Sequence, residues 1–208
     1  MSVVGANKPH LHPREVLLGA QGAAGFLPVC DHYSGVEARM KKSLQLQADM
    51  AEEFGACVFD VTLDCEDGAP AGAEVDQAHR VVGLANAERA AARGKPGGVQ
   101  RRLGARLHPV DHAFFFSDVD IVLGQAAAAL SYIMIPKVES LADVELAVQA
   151  LDRASAGKRD APMPLHVLIE SPAAVQNAFD IARHPRVESV SFGLMDFVSA
   201  HGGAIPSS

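Results

Sequence analysis

The stretch LHVLIESPAAVQNAFDIARHP, at residues 165–185, carries the clearest structural pattern in the chain. It opens with a largely apolar run of strand length, passes through one glutamate, and continues from Ser171 and Pro172 with helical spacing. The same order recurs along the chain, with apolar runs at residues 26–30, 57–63, 103–107, 132–136 and 190–192. Strands that alternate with helices predict βα units and a parallel sheet.

The predicted helices fill the segments between these strands, at residues 35–54, 73–93, 113–130, 141–154 and 172–182. Repeated βα steps fit either a doubly wound sheet or part of a (β/α)₈ barrel. Neither a GxGxxG motif after the first strand nor a GxxxxGK[ST] motif is present, so two nucleotide signatures of doubly wound folds are absent. The alternation alone leaves both architectures open.

Ionisable residues at the strand ends favour the barrel. Nearly every predicted strand is followed by one or more of them, namely Asp64, Glu66, Asp67, Arg106, His108, Lys137, Glu139, Glu170 and Asp196. Any single one could be a solvated loop position, but in a barrel these ends converge on the face that holds active sites. Crowded carboxylates repel unless they are protonated, paired or bound to a cation, and an all-oxygen set suits Mg²⁺ or Mn²⁺ better than Zn²⁺.

Composition narrows the class of protein. The 208 residues carry a net charge of −7 with a pI near 5.7, which argues against nucleic-acid binding. No apolar run is long enough to cross a membrane. Three cysteines without CxxC spacing indicate a reducing compartment rather than a structural zinc site. The first residues lack the apolar core of a signal peptide, so the sequence predicts a cytoplasmic location.

Five motifs carry a family resemblance over residues 26–196: VTLDCEDGAP, ARLHP, YIMIPKVES, the stretch quoted first, and VSFGLMD. In this order they resemble the HpcH/HpaI aldolase and citrate lyase superfamily, specifically its citrate lyase β-subunit-like branch, which includes malyl-CoA lyases. The resemblance implies a TIM (β/α)₈ barrel. It also implies an enzyme that cleaves or forms a carbon–carbon bond next to a coenzyme A thioester.

The resemblance also implies roles for the strand-end residues. Glu170 and Asp196 match the glutamate and aspartate that bind Mg²⁺ in the family, with Mn²⁺ as a possible substitute. Arg106 matches the arginine that stabilises the thioester enolate, although a structural salt bridge to Glu66 or Asp67 is an alternative or additional role. Glu66 and Asp67 are expected to orient Arg106 and metal-bound water.

Further positions are expected to bind the substrate or coenzyme A. Arg39 and Lys42 would contact the coenzyme A phosphates, and a solvated helix face is at least as good an interpretation of either. Lys137 and Glu139 are expected to bind the substrate. Alternatively, Glu139 is a carboxylate that only stabilises the N-terminus of a helix. His108 stands where the family pattern has asparagine; it could bind substrate, act as a base, or only fill that position.

The expected domain organisation is an N-terminal extension at residues 1–25 and a barrel domain at residues 26–208. A (β/α)₈ barrel needs about 250 residues, so we expect the domain to lack its last strands and its C-terminal cap. The catalytic base is then expected in that missing region or in a neighbouring subunit. By analogy with the family, the protein is expected to form a homo-oligomer, a trimer or hexamer.

Three functions follow from these expectations. The leading one is a Mg²⁺-dependent lyase that acts on a 3-hydroxyacyl-CoA of the citryl-CoA, malyl-CoA or citramalyl-CoA type, releasing an acyl-CoA and a keto acid. The second is a class II pyruvate aldolase that acts on free hydroxy-keto acids, with His32, His108 or His112 as acid or base. The third is a catalytically inactive subunit that binds acyl-CoA. The sequence leaves the acyl group and the keto acid unassigned.

Overall fold

The computed structural model describes residues 31–67, 71–94 and 97–203, with the backbone alone at 31–33. Its one sheet has six parallel strands in the order β1 to β6. They are Asp31–Ser34, Asp60–Asp64, Leu103–Arg106, Tyr132–Ile135, Leu165–Ile169 and Val187–Phe192. A doubly wound sheet reverses its strand order at a switch point, whereas a barrel adds each strand beside the last. The sequential order therefore confirms the barrel topology, with β1 and β6 at the edges of the described sheet.

Helices follow each described strand. In chain order they are α1 (Glu37–Phe54), α2 (Glu74–Arg93), α3 (Phe115–Asp118), α4 (Gly124–Ala126), α5 (Leu141–Ser155), α6 (Pro172–Ala182) and α7 (Leu194–Ala200). A π-helical turn at Val119–Leu123 joins α3 to α4, and a 3₁₀ turn at Ala127–Ala129 follows α4. The prediction that residues 113–130 are mainly helical therefore holds, but the helical residues form four short segments instead of one regular α-helix. The strand predicted at residues 26–30 lies outside the described residues.

The two faces of the sheet differ in chemistry. Leu63, Ala105, Ile133 and Val167 point to the outer face and join the buried apolar core with the helices. Side chains alternate along a strand, so their neighbours point to the barrel interior. That face carries most of the buried polar side chains of the strands, together with Met134 and Leu168. The ring of Tyr132 stacks on His166 with centroids 3.7 Å apart, and its hydroxyl lies 2.7 Å from Thr62 Oγ1.

Local signals fix where the helices near the strand ends begin. Ser140 forms a capping box with Asp143 at the start of α5. The Ser171 hydroxyl accepts a hydrogen bond from the N–H of Ala174, and Pro172 occupies the first turn of α6. Both helices thus begin just beyond Glu139 and Glu170, at the carboxyl ends of β4 and β5. No described helix has both the length and the hydropathy required to span a membrane.

Candidate active site

Three carboxylates hold Arg106 where β2 and β3 end. Its Nε and Nη2 each donate a 2.7 Å hydrogen bond to Asp64, Nη1 lies 2.8 Å from Glu66 Oε2, and Nη2 lies 3.0 Å from Asp67 Oδ2. Burial acts to lower the pKa of Arg106, but the hydrogen bonds and charges of these carboxylates outweigh it and raise the pKa. A bidentate pair with Asp64 fixes the plane of the guanidinium. Arg106 is therefore an oriented, permanent positive charge.

Lys137 extends this cluster from the end of β4. Its Nζ lies 2.7 Å from Glu66 Oε1 and 4.0 Å from Asp196 Oδ1, and its backbone N–H donates a 2.8 Å hydrogen bond to Glu170 Oε2. The residue has a φ of 52°, in the left-handed region that non-glycine residues rarely adopt. Such backbone strain, about 1–3 kcal/mol, persists where surrounding contacts fix it and is concentrated at functional sites.

Glu170 and Asp196 line the same cavity at the carboxyl ends of the strands. Burial is the main cause that raises the pKa of Glu170; the Lys137 N–H opposes it, and the charges of Asp196 and Glu66 add to it. Asp196 is more open, with 43% of its side chain exposed. The cavity measures about 520 Å³, and its other lining residues are Val110, Asp111, Lys137, Glu139, Asp143, Ser199 and Ala200.

The donor set fits a hard divalent cation. Among the described residues around the cavity and Arg106, carboxylates outnumber bases. The bases are Arg106 and Lys137, and the carboxylates are Asp64, Glu66, Asp67, Asp111, Glu139, Asp143, Glu170 and Asp196. Within the part of the chain that the structure describes, no three His, Cys, Asp or Glu side chains are grouped to hold a metal. Mg²⁺ is commonly held by one or two carboxylates plus substrate oxygens and waters. A site built on Glu170 and Asp196 is of that kind.

Because Gly193 has no side chain, there is room beside it for the carboxylate of Glu170. A Cβ on Gly193 would overlap Oε1, Cγ and Cδ of Glu170. The N–H of Gly193 also donates a 3.0 Å hydrogen bond to the carbonyl of Ile169, the last residue of β5. The glycine of the FGLMD motif therefore allows β6 to pass directly beside the Glu170 carboxylate, three residues before Asp196.

His108 is buried beyond the end of β3 and paired with Asp118. Asp118 Oδ2 lies 2.6 Å from His108 Nδ1 and accepts a 3.0 Å hydrogen bond from the His108 backbone N–H. The imidazole stacks on His112, with ring centroids 4.4 Å apart and planes inclined by 8°. Burial acts to lower the pKa of His108, but the hydrogen bond and charge of Asp118, with the charges of Glu66 and Glu74, outweigh it and raise the pKa.

The remaining predicted residues fall into three cases. Glu139 lines the cavity one residue before the N-cap of α5, so its position suits both interpretations offered for it. Arg39 and Lys42 are exposed in the first turns of α1, away from the residues that line the cavity. The side chain of His32, which belongs to the aldolase alternative, lies outside the described residues.

Two carboxylates essential to this geometry are missing from the predicted site residues. Asp64, which the sequence places among the strand-end carboxylates but to which no role was assigned, makes the bidentate contact with Arg106. Asp118, the partner of His108, lies in α3 ten residues further along the chain. No sequence pattern links those two residues, because the intervening loop determines their contact.

Solved structures with the same fold include citrate lyases. A citrate lyase from Burkholderia xenovorans LB400 matches with a TM-score of 0.73 and 42% sequence identity, covering 87% of this chain and 53% of that one. The citrate lyase β subunit of M. tuberculosis, complexed with oxaloacetate and magnesium, has a TM-score of 0.57 at 19% identity, covering 86% of this chain and 63% of that one. At that identity the second likeness concerns the fold alone.

Sequence comparison assigns the family. Residues 43–205 match the HpcH/HpaI aldolase/citrate lyase family. An L-malyl-CoA/β-methylmalyl-CoA lyase from Cereibacter sphaeroides is 34% identical over 156 residues, which cover 73% of this chain and 46% of that protein. The chain therefore belongs to the HpcH/HpaI aldolase/citrate lyase family. It spans about half the length of this curated relative.

Proposed function

We propose that this protein is a Mg²⁺-dependent carbon–carbon lyase that converts a 3-hydroxyacyl-CoA to an acyl-CoA and a keto acid. The observation that supports it most directly is the juxtaposition of Arg106 with the cavity of Glu170 and Asp196, through Glu66 and Lys137. The malyl-CoA lyase relative performs chemistry of this class by its name. A cationic group and a carboxylate pair that suits a metal are the two elements that such a cleavage requires.

Each residue has a distinct role in this proposal. Glu170 and Asp196 would hold Mg²⁺, which supplies Lewis-acid polarisation of the keto-acid carbonyl. Arg106 stabilises the negative charge that develops on the thioester oxygen as the carbon–carbon bond breaks, because its guanidinium is already fixed by Asp64 and needs no reorientation. Glu66 connects both regions, since it contacts Arg106 and Lys137 with its two oxygens.

Substrate turnover with and without metal tests the proposal. Malyl-CoA, citramalyl-CoA and citryl-CoA are offered to the intact protein with Mg²⁺ and with EDTA, and Mg²⁺ binding is measured separately by calorimetry. We expect chelation, Glu170→Ala and Asp196→Ala each to abolish turnover and to weaken Mg²⁺ binding. Glu145→Ala, an exposed carboxylate on α5, serves as the matched control.

The same experiment separates the alternatives. Turnover that is unaffected by both substitutions would refute the metal assignment. Binding of free coenzyme A without turnover of any thioester would favour an inactive acyl-CoA-binding subunit. Cleavage of free hydroxy-keto acids by a protein that does not bind coenzyme A would favour the pyruvate aldolase.

A further inference from the structure

We propose that Asn177 is a positioning residue for the metal site, and that it acts by fixing the loop which holds Glu170. The inference rests on the proposed function and adds to it a side chain from outside the cavity lining. Asn177 lies on α6, and its Nδ2 donates a 2.8 Å hydrogen bond to the carbonyl of Glu139. Glu139 belongs to the β4–α5 loop, residues 136–140, which runs from the end of β4 to the start of α5.

The β4–α5 loop contains the strained residue that contacts Glu170. Lys137 has a φ of 52°, and its N–H donates a 2.8 Å hydrogen bond to Glu170 Oε2. The other oxygen of that carboxylate, Oε1, lies beside Gly193. Val138, the next residue of the loop, is fully buried in the apolar core. A left-handed lysine costs free energy and persists only where its surroundings determine it, so the contacts of the following residues matter.

One peptide plane of this loop is held at both of its polar groups. The plane contains the carbonyl of Glu139 and the N–H of Ser140. Asp143 Oδ2 accepts that N–H at 2.9 Å, and it also accepts the Glu139 N–H at 3.0 Å. Asn177 donates to the carbonyl of the same plane. Rotation of the plane is therefore opposed by one side chain from α5 and one from α6.

Asn177 closes a ring of contacts that begins and ends at Glu170. Helix α6 starts directly after this residue, where the hydroxyl of Ser171 caps it, and Asn177 lies in its second turn. The amide reaches back to Glu139, and the loop returns to the Glu170 carboxylate through the N–H of Lys137. Because each contact limits the next, loss of the Asn177 amide should loosen the Lys137 N–H and, with it, the orientation of the proposed metal ligand.

The surface position of Asn177 makes this role separable from the stability of the fold. Its side chain is half-buried, whereas α6 packs against the barrel through the fully buried Ala174 and Ile181. Substitution of Asn177 should therefore alter the β4–α5 loop and leave the packing of the helix in place. The preceding residue, Gln176, is an exposed amide on the same helix and provides a matched control.

Amide hydrogen exchange measured by NMR on the intact protein, and titration calorimetry with MgCl₂, test this assignment. Asn177→Ala removes the donor, and Asn177→Leu removes it while keeping a similar volume and no charge. In both variants we expect faster exchange at the Lys137 amide, because exchange reports local opening. We also expect Mg²⁺ affinity to fall by about threefold to tenfold. Loss of a direct partner of a metal ligand costs roughly 10–100-fold, and Asn177 acts one contact further away.

The control and the outcomes separate this assignment from the proposed function. Gln176→Ala should change neither the exchange rate nor Mg²⁺ affinity, and all three variants should keep the wild-type urea midpoint. A wild-type protein that does not bind Mg²⁺ would overturn the proposed metal site and this assignment with it. Wild-type binding that both Asn177 variants retain in full would overturn the role of Asn177 alone. Weaker Mg²⁺ binding without faster exchange at Lys137 would refute the route through the β4–α5 loop.

Discussion

The backbone N–H of Lys137 donates a 2.8 Å hydrogen bond to Glu170 Oε2, across the ends of β4 and β5. The same residue directs its ammonium to Glu66 and towards Asp196, and it does so from a left-handed backbone conformation. One strained residue therefore orients a proposed metal ligand through its main chain and places a competing positive charge through its side chain. These two effects can be separated by substitution.

Lys137→Asn should strengthen Mg²⁺ binding. Asparagine tolerates the left-handed conformation, so the N–H to Glu170 is retained while the charge 4.0 Å from Asp196 is lost. Even in bulk water two unit charges about 4 Å apart interact by about 1 kcal/mol, so loss of this repulsion should raise the affinity for a divalent cation by at least about fivefold. Titration calorimetry with MgCl₂ measures it, with Lys41→Asn, at an exposed lysine paired with Glu37, as the control. Unchanged or weaker binding would contradict the electrostatic role of Lys137.

Gly193→Ala should disrupt Mg²⁺ binding with little effect on folding. The added methyl group would overlap the Glu170 carboxylate, which must move away from its position beside β6. We expect Mg²⁺ affinity to fall by at least about tenfold, since displacement of one of two ligands exceeds the 1.4 kcal/mol that this factor represents. Gly83→Ala in α2, where a Cβ meets nothing within 4 Å, is the matched substitution and should leave binding intact.

Gly104→Ala should destabilise the fold rather than the site. Its Cβ would overlap the ring of Tyr132, which cannot turn aside freely because it stacks on His166 and its hydroxyl contacts Thr62. Overpacking of this kind costs about 1–3 kcal/mol of unfolding free energy. Urea denaturation followed by circular dichroism tests this, and a midpoint equal to that of the wild type would show that the barrel interior is looser than these contacts indicate.

Local signals explain which parts of the fold are predictable. The sequence predicts β5 and α6 at the bounds that the structure has, because Ser171 and Pro172 mark the junction between them. The region after β3 lacks such markers. There Phe115, Val119 and Leu123 are all fully buried, and the chain reaches this packing through a π-helical turn, which depends on contacts that a single sequence does not specify.

The site shows the same limit. In a parallel barrel the carboxyl ends of all the strands lie at one end of the barrel. The positions of Arg106, Lys137 and Glu170 at or just after strand ends therefore predict that they lie close together there. The strand-end pattern does not predict that Lys137 adopts a positive φ, because lysine gives no sign of the left-handed region that glycine or asparagine would give. It also does not predict the contact between His108 and Asp118, which belongs to the loop.

Arg106→Met should destabilise the protein by about 3–5 kcal/mol at pH 7, because it leaves Asp64 buried without its cationic partner and Glu66 with Lys137 alone. The loss should shrink as the pH falls, since protonation removes the uncompensated charges. Arg106→Lys should destabilise the protein less than Arg106→Met, because it keeps the positive charge. It should still destabilise it, because lysine cannot make the bidentate contact with Asp64. Chemical denaturation at pH 7 and pH 5 measures both effects; equal destabilisation at the two pH values would argue against buried carboxylate charge as its cause.

His108 and His166, the two histidines that are buried within the described residues, should give stability slopes of opposite sign around neutral pH. Asp118 and nearby carboxylates raise the pKa of His108, so its contribution is complete below the unfolded pKa of about 6.5 and is lost as the pH rises through the folded value. Burial lowers the pKa of His166, so its contribution is complete above the unfolded value and is lost as the pH falls through the folded one.

Variants at the two positions separate these contributions. Between pH 5 and 8, His108→Asn should make the unfolding free energy rise more steeply with pH, whereas His166→Asn should make it rise less steeply. NMR titration of the two imidazole rings reads the folded-state pKa values directly. A His108 ring that titrates below the unfolded value of about 6.5 would contradict the pairing with Asp118, because a carboxylate at 2.6 Å stabilises the protonated imidazole.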